Sequence, residues 1–248
     1  QPNIGYAGGA FDGNYVYFVA STTADSRPAV VVRFDPKKPF DDVASWQRVD
    51  AAALLGQPAL GGFWGAAFDG ARLYFLPHEN TPAGEPCSSR MAVYDTRKAL
   101  DDASAWLHVN LSEWSPNLCG FASGVFDGTY LYLLPYLRST ALRIDTRTEE
   151  IVPANAQLFQ RWESVTGATF DGRFVNFHMR DGKEPVRGGF LGRYDTRQPF
   201  KSEAAWSRVD LATIVPSAGA FCGMAYDGSG HYLAPCELDR PRVLMRFQ

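Results

Sequence analysis

The sequence has 248 residues, of which 46% are hydrophobic and 14% aromatic, enough apolar side chains for one large packed domain or two small ones. It carries 24 Lys and Arg against 27 Asp and Glu, a formal net charge of −3, and neither sign gathers into a run, which argues against nucleic-acid and membrane partners. The apolar stretches are shorter than the roughly 18 residues that a membrane-spanning helix needs, so we expect a soluble protein.

Five copies of one motif follow one another along the chain. They are GGAFDGNYVYF from Gly8, GAAFDGARLYF from Gly65, SGVFDGTYLYL from Ser123, GATFDGRFVNF from Gly167 and GMAYDGSGHYL from Gly223. The spacings between their Asp residues are 57, 58, 44 and 56. Periods of this size are typical of propellers and other repeat architectures.

Each copy predicts four strands. A strand of small residues leads through an Asp-Gly turn into an alternating aromatic strand. A third strand follows in the segments VVRFDP, MAVYDT, ALRIDT, LGRYDT and VLMRF, and an outer strand carries Trp in ASWQRVD, SAWLHVN and AAWSRVD. Four antiparallel strands repeated around an axis form a propeller blade. We therefore predict an all-β, five-bladed β-propeller in a single domain over residues 1–248.

The predicted blades cover residues 5–56, 62–115, 120–160, 164–215 and 220–248. Blade five is incomplete, because the sequence ends at its third strand, and blade three lacks the outer Trp. The short segments after Asp50, Asn110 and Asp210 predict single helical turns between blades. The turn Asp residues recur in every blade, so we interpret them as turn caps rather than acids.

The repeat resembles the tandem FDG-x-Y-x-Y sequences of bacterial β-propeller proteins. It is similar, more loosely, to five-bladed propellers of the tachylectin-2 type. The first resemblance covers nearly the whole chain and implies architecture alone, whereas the second is one of blade count. Five-bladed glycosidases share only the number of blades, so no specific enzyme family is implied.

One station of the repeat differs in every blade. It is the ninth residue after the turn Asp, at the end of the second strand. The five residues there are Ser21, His78, Tyr136, Arg180 and Cys236. A lectin with one equivalent site per blade should repeat its contact residues, so this diversity favours a single composite pocket at the mouth of the central channel. Drift at an exposed strand end is the alternative.

Blade four departs furthest from the repeat. Its second strand carries Asn176, His178 and Arg180, where the other blades have mainly Tyr, an aliphatic residue and the variable station. Side chains alternate along a strand, so these three lie on one face. They either face a ligand or satisfy one another in a hydrogen-bonded network between blades, with Thr166 opposite. His231 occupies a core-facing position in blade five, where we expect it to be buried and hydrogen-bonded.

Long loops follow the variable station in blades two and four, whereas blade three has almost none. The long loops of blades two and four on either side of the short loop of blade three would form a cleft. Trp64 and Trp162 lie just upstream of first strands, where they are candidates for stacking on a sugar ring, with ordinary packing between blades as the alternative.

These positions predict acid/base chemistry more readily than a metal centre. His78 or His178 serves as the base, and Arg180 holds an oxyanion or a carboxylate. The candidate catalytic residues are His78, His178, Arg180 and Tyr136. The candidate ligand-binding residues are Trp64, Glu79, Trp162, Asn176, Cys236 and Glu237. The metal-capable residues His78, His178 and Cys236 come from three blades without local ligand spacing, so the metal signal, including that of a copper enzyme, is weak.

Two functions follow from this pattern. The first is one polar pocket at the channel mouth that binds a small anionic or carbohydrate-like ligand, with acid/base or metal-assisted catalysis, as in a hydrolase or lyase, as an extension. The second is a non-catalytic lectin or interaction module with several sites between blades. The sequence names no cofactor.

The four cysteines permit two disulfide bonds. Cys222 and Cys236 flank one predicted hairpin, and Cys87 and Cys119 lie in loops of adjacent blades. If the protein is oxidised, we expect these two pairings. Because both an exported protein and free buried thiols fit the count, the location stays open, with secretion or the periplasm favoured over the cytoplasm.

Overall fold

The structure is a computed structural model that describes residues 5–20, 29–78, 87–136, 140–154, 163–181, 189–216, 221–235 and 244–248. Within these ranges the chain forms five antiparallel sheets, one for each sequence repeat. Four sheets have four strands and the last has three. The fold is the predicted five-bladed β-propeller with an incomplete fifth blade.

Each blade runs strand by strand in chain order. Blade one contains β1 (Tyr6–Phe11), β2 (Val16–Ala20), β3 (Val30–Phe34) and β4 (Trp46–Asp50). Blade two contains β5 (Phe63–Phe68), β6 (Arg72–Pro77), β7 (Arg90–Asp95) and β8 (Trp106–Asn110). Blade three contains β9 (Phe121–Phe126), β10 (Tyr130–Pro135), β11 (Leu142–Asp145) and β12 (Ile151–Pro153). Blade four contains β13 (Glu163–Phe170), β14 (Phe174–Asp181), β15 (Phe190–Asp195) and β16 (Trp206–Asp210). Blade five contains β17 (Phe221–Tyr226), β18 (His231–Pro235) and β19 (Met245–Phe247).

The predicted helical turns follow the outer strands. They are the helix α1 (Ala51–Leu55) and the 3-10 turns Leu111–Glu113 and Leu211–Thr213. The side chains of Asp50, Asn110 and Asp210 cap them by accepting backbone N–H groups, as expected at helix N-caps. Among the described residues, no helix has the length and apolar character that crossing a membrane requires.

The chain forms two compact units, residues 1–124 and 125–248. The boundary falls inside β9, so the first unit holds blades one and two, and the second holds blades four and five together with β10, β11 and β12 of blade three.

The Asp-Gly turns confirm their predicted capping role. The Asp12 Oδ1 atom accepts backbone N–H groups from Asn14 at 2.7 Å and Tyr15 at 2.6 Å, and its Oδ2 accepts the Tyr17 hydroxyl at 2.8 Å. The following Gly13 has a φ of 93°, a left-handed conformation that favours glycine. The same carboxylate contacts recur at Asp69, Asp127 and Asp227.

Small residues in the first strands allow the blades to approach closely. A Cβ added to Gly8 would lie 2.6 Å from the carbonyl oxygen of Trp64, and one added to Gly167 would lie 2.7 Å from the backbone nitrogen of Met224. Both distances are too short for real Cβ atoms, so glycine is required where first strands of neighbouring blades meet.

One predicted disulfide is confirmed in the first unit. Cys87 and Cys119 are bonded, with their Cα atoms 5.4 Å apart, inside the range for a disulfide. Cys222 is also disulfide-bonded, whereas its predicted partner Cys236 lies outside the described residues.

Candidate functional site

The boundary between blades four and five departs from the repeat at the Tyr five positions after the turn Asp. In the other four blades this Tyr donates its hydroxyl to the Asp Oδ2 atom at 2.7–2.8 Å. Blade four has Asn176 instead, and its amide Nδ2 donates to Asp171 Oδ2 at 2.9 Å. The shorter Asn preserves the bond to the turn but leaves the space of a phenol ring unfilled.

A second departure lies opposite, in blade five. The residue four positions after the turn Asp is Val or Leu in blades one to four, but it is His231 in blade five. The His231 Nε2 atom lies 3.3 Å from Asn176 Nδ2 and 3.5 Å from Asp171 Oδ2. Its Nδ1 atom is hydrogen-bonded to Thr169 Oγ1 at 2.8 Å. The imidazole is buried between the rings of Tyr226 and Phe247, at centroid distances of 4.6 and 4.8 Å, which confirms that His231 is buried and hydrogen-bonded.

Burial and charge oppose each other at these two groups. Burial lowers the pKa of His231, while the Asp171 carboxylate acts to raise it. Burial acts to raise the pKa of Asp171, but N–H groups of Phe174 and Arg173 and the amide of Asn176 outweigh it, so the net shift is downward. The network therefore holds a carboxylate and a neutral imidazole near neutral pH.

A third departure is the outer strand. In blades one, two and four this strand begins with a Trp whose Nε1 donates to the backbone oxygen six residues earlier, at 2.9–3.0 Å. In blade four that Trp206 packs on Tyr194 of the third strand, with ring centroids 4.7 Å apart. In blade five the equivalent third-strand residue is Phe247, paired with His231. The described residues of blade five include no outer strand that covers this ring.

Together these departures leave a cleft of about 530 Å³ between blades four and five. Its polar residues include Asp171, Asn176, Arg193, Ser207 and His231, and its apolar residues include Phe174, Leu191, Val209 and Phe247. Asn176, Arg193 and Ser207 are cross-strand partners on β14, β15 and β16. They therefore share the face of blade four that carries the contact to His231.

Arg193 supplies the positive charge of this face. Its Nε donates to Ser207 Oγ at 3.3 Å, and its guanidinium lies 4.8 Å from the centroid of the Phe174 ring. The corresponding Arg33 of blade one donates to the hydroxyl of Tyr94 in blade two at 3.3 Å. Phe247 has no hydroxyl at that position, so Arg193 faces the cleft without the tyrosine that its counterpart contacts.

Arg208 also borders the cleft, but its side chain belongs to the other face of blade four. It is paired with Gly192 across the strands, and its guanidinium lies 4.6 Å from the centroid of the Phe190 ring. Because alternate residues point to opposite faces, Arg208 and Arg193 point to opposite sides of the sheet.

The residues predicted on the blade-four stripe have different environments. His178 has an exposed fraction of 0%, and its Nδ1 is hydrogen-bonded to Thr166 Oγ1 at 2.8 Å. Thr166 in turn donates to the backbone oxygen of Phe221 in blade five at 2.7 Å. The structure thus contains the alternative network with Thr166, and His178 lies in the core rather than on a ligand-facing surface.

His78 and Trp64 lie together in the first unit. Their rings stack at a centroid distance of 4.4 Å and an interplanar angle of 21°, and His78 is only 4% exposed. Burial lowers the pKa of His78 to about 4. A neutral, stacked imidazole is typical of packing between strands rather than of a base that contacts substrate.

The remaining predicted residues are less informative. Tyr136 and Arg180 are half-buried in the second unit, after β10 and on β14. Since His78 belongs to the first unit, a composite pocket of all these residues stays a prediction. Glu79, Trp162, Cys236 and Glu237 lie outside the described residues.

The described residues contain no group of three His, Cys, Asp or Glu side chains that could hold a metal ion. Thr169, His231 and Asp171 are linked as in a nucleophile–base–acid triad. However, Thr169 is buried and does not line the cleft, so a substrate in the cleft would not reach its hydroxyl.

The sequence carries a signal for this cleft at other positions than the variable ninth station. The sequence-based candidates include Asn176, whereas His231 is predicted to be a core residue and Arg193 and Phe247 are not among the candidates. The fifth residue after the turn Asp differs from the repeat in blade four (Asn176), and the fourth residue differs in blade five (His231). These two residues are in contact.

No protein-family model and no curated protein sequence matches the chain. Solved structures with a similar fold include a chain of the nidogen/laminin complex, with 14% identity and a TM-score of 0.59 over 94% of this chain and 73% of that chain. The WD40 repeats of RRP9 match with 10% identity and a TM-score of 0.60, over 94% of this chain and 58% of that one.

A bacterial surface protein is among these neighbours. PorZ of Porphyromonas gingivalis, a component of the type-IX secretion system, matches with 12% identity and a TM-score of 0.54, over 93% of this chain and 25% of that chain. Identities this low establish the propeller fold alone.

Proposed function

We propose that this protein is a non-catalytic binding module whose ligand occupies the cleft between blades four and five. The observation that carries the proposal is the coincidence of three departures from the repeat around one cavity of about 530 Å³. They are Asn176, His231 and Phe247, whose ring no strand among the described residues of blade five covers. Cavities of this size hold small ligands, with a few polar groups that fix orientation on apolar walls.

The cleft chemistry defines the ligand. Arg193 offers a guanidinium, which suits a carboxylate or phosphate. Phe174 and Phe247 offer ring surfaces, and Asn176 offers an amide. A small ligand with one anionic group and a flat apolar face fits these groups. The sequence predicts a small ligand that is anionic or carbohydrate-like. The ligand proposed here is anionic, and a uronic acid would be both.

Calorimetric titration with indole-3-acetate tests the proposal, because this probe combines a carboxylate with a flat ring. We expect one site per chain, and we expect Arg193→Gln to weaken binding about tenfold or more, as for loss of a charged hydrogen bond. Arg48→Gln is the matched control, because it removes an exposed arginine from β4 of blade one, at the position that corresponds to Arg208 but away from the cleft. The proposal fails if the probe does not bind, or if both variants bind like the unaltered protein.

Two further titrations define the ligand class. Indole-3-ethanol keeps the ring but loses the carboxylate, so it should bind more weakly than indole-3-acetate. Glucuronate keeps the carboxylate on a sugar ring. Binding of glucuronate at the Arg193-dependent site would support a carbohydrate ligand.

We also place the chain with the tandem FDG-repeat bacterial propellers and outside the cytoplasm. Five FDG-type turns support the first assignment, and the Cys87–Cys119 disulfide supports the second, because disulfides persist in oxidising compartments. Fractionation of the native host, with thiol labelling of the purified protein, tests the location. Recovery in the cytoplasm with reactive thiols would contradict it.

A further inference from the structure

We propose that His231 and Asn176 form a proton-operated switch at the boundary between blades four and five. While His231 is neutral, its Nε2 atom and Asp171 share the amide of Asn176. When His231 is protonated, the imidazole takes Asp171 as its own partner and the amide turns away. The switch goes beyond the proposed function, because it uses only side chains of this chain and does not depend on a ligand in the cleft.

The first support is the competition for one carboxylate oxygen. Asp171 Oδ2 accepts a hydrogen bond from Asn176 Nδ2 at 2.9 Å and lies 3.5 Å from His231 Nε2. The Asp171 Oδ1 atom takes no part in this competition, since it accepts the backbone N–H groups of Arg173 and Phe174. The turn therefore keeps its backbone bonds in both states, and only the partner of Oδ2 changes.

The second support is the position of the hydrogen on neutral His231. Its Nδ1 atom lies 2.8 Å from Thr169 Oγ1, and its Nε2 atom lies 3.3 Å from Asn176 Nδ2. An amide nitrogen donates and does not accept, so Nε2 must offer its lone pair and Nδ1 must carry the hydrogen. Neutral His231 thus accepts from Asn176 and donates to Thr169.

The third support is the effect of adding a proton from solvent to Nε2. Both ring nitrogens of a charged histidine are donors, so Nε2–H would then face the N–H group of Asn176. The acceptor within reach is Asp171 Oδ2, and a hydrogen bond between two charged groups closes to about 2.7–2.9 Å. The backbone oxygen of Phe174 lies 3.4 Å from Asn176 Nδ2 and can accept the displaced amide.

The rings around His231 determine which side chain moves. The imidazole stacks on Tyr226 and Phe247 at interplanar angles of 27° and 18°, and His231 is only 3% exposed. A ring packed on both faces cannot turn out to water, so an added charge needs a partner inside the network. The amide of Asn176 is therefore the group that moves.

Burial and nearby charges act on His231 in opposite directions. Burial lowers its pKa, whereas Asp171 and Asp227, in the turn of its own hairpin, act to raise it. The net shift is downward, so the switch operates on the acid side of the ordinary histidine pKa. The other charged or titratable side chains of the surrounding elements are Tyr226 on β17, Arg193 on β15, Arg173, which pairs with Asp195, and Arg246, which donates to Tyr232.

The switch changes the polar groups that line the cleft. Asn176 and His231 both belong to its wall. At neutral pH the amide is engaged by Asp171 and His231, whereas after protonation these two bond to each other and release it. The boundary between blades four and five therefore has two hydrogen-bonded states that pH selects.

Nuclear magnetic resonance of the full chain labelled with nitrogen-15 tests the switch. Long-range spectra show which ring nitrogen of His231 carries hydrogen, from about pH 8 to about pH 4, across the range where histidines titrate. We expect hydrogen on Nδ1 and none on Nε2 at neutral pH. As the pH falls, Nε2 should gain a proton and the side-chain amide signal of Asn176 should shift with the same midpoint. Hydrogen on Nε2 at neutral pH, or an amide signal that does not follow His231, overturns the proposal.

Two variants should move the midpoint of the His231 titration in opposite directions. Asp171→Asn removes the carboxylate that favours the charged ring, so it should lower the midpoint. Asn176→Leu removes the donor that favours the neutral ring and leaves Asp171 Oδ2 to His231, so it should raise the midpoint. Asp127→Asn is the matched control, because it removes the corresponding turn carboxylate of blade three and should leave the midpoint unchanged.

The outcomes keep the switch separate from the proposed function. Opposite displacements with an unchanged control support the switch, and displacements in the same direction, or none, contradict it. If Asp171→Asn does not fold, because Asp171 caps the turn, the hydrogen position in the unaltered protein and the Asn176→Leu midpoint still decide. Binding of indole-3-acetate is a separate measurement, so the switch can fail in a protein that binds the probe and can be confirmed in one that does not.

Discussion

In the second unit, the boundary between blades three and four differs from the boundary between blades four and five. Equivalent positions of the repeat face each other at both, but their side chains pack at the first boundary and leave a cleft at the second. Between blades three and four, Tyr132 lies 5.6 Å from Tyr194 between ring centroids, and its hydroxyl donates to Asp127 at 2.7 Å. Between blades four and five, Asn176 and Phe247 occupy the equivalent positions, and a cleft replaces the ring contact.

The difference shows how a repeat protein can form a cleft at one boundary between blades that share the same turn. The Asp turn and the antiparallel pairing of the second strand with the third are kept in the blades on both sides of each boundary. What differs is side-chain volume at two stations, and the described residues of blade five include no strand that covers Phe247. The cleft therefore arises from missing side-chain volume in a packed scaffold.

Truncating one side chain at each boundary to Ala should give the largest difference in the free energy of unfolding. Tyr132→Ala removes a buried ring and its hydrogen bond, so we expect a loss of about 3–5 kcal/mol in the free energy of unfolding. Asn176→Ala removes an amide beside an existing cavity and should cost about 1–3 kcal/mol. Urea unfolding measures both. Equal losses would mean that the fourth boundary is packed like the third.

Lowering the pH should destabilise the fold through its buried histidines, and His78 should contribute more to this loss than His231. The pKa of His78 is about 4 in the folded chain, against about 6.5 when unfolded. Below pH 6.5 the unfolded chain binds the extra proton, so stability falls as the pH drops towards 4. By linkage the loss from His78 reaches about 3 kcal/mol at pH 4.

The histidine variants check this assignment. His78→Gln should flatten the pH dependence of stability between pH 6.5 and 4. His231→Gln should change it less, because Asp171 acts against the effect of burial on the His231 pKa. A steeper contribution from His231 would reverse the comparison.

Restoring the repeat pair should reveal coupling across the cleft. Asn176→Tyr alone places a phenol against His231, and His231→Val alone removes partners from Asn176 and Thr169. The double variant recreates the pair found in the other blades. We expect the double variant to be more stable than the sum of the single variants predicts by about 1–3 kcal/mol. Additive effects in the unfolding cycle would argue against direct contact.

Substituting Arg33 and Arg193, which occupy equivalent positions in blades one and four, should have the smallest effects on the free energy of unfolding. Arg33 donates to Tyr94 and to Gln47, so Arg33→Gln should cost about 1 kcal/mol. Arg193→Gln should stay within about 0.5 kcal/mol, because an exposed side chain away from buried networks contributes little. Thermal unfolding of the two variants distinguishes them, and an equal loss would place Arg193 in the scaffold.

The repeat predicted most of the fold because the features that build it recur. The Asp-Gly turn, alternating aromatics and outer Trp specify strand order, turn type and the incomplete fifth blade from local sequence alone. The cleft between blades four and five could not be predicted in the same way, since it depends on which residues of adjacent blades meet. The polar side chain of His178 suggests a ligand contact in the sequence, but its Nδ1 is hydrogen-bonded to Thr166. His231 and Phe247 line the cleft with Asn176, and this proximity cannot be read from either residue alone.

The most direct test of the cleft is a titration of indole-3-acetate into the protein and into the Asn176→Tyr/His231→Val double variant. Circular dichroism and thermal unfolding first establish that the variant is folded. The account predicts one site per chain in the unaltered protein and no detectable binding in the folded double variant, because the restored ring fills the cavity. Equal affinity in both proteins would contradict it and place the binding site elsewhere in the chain.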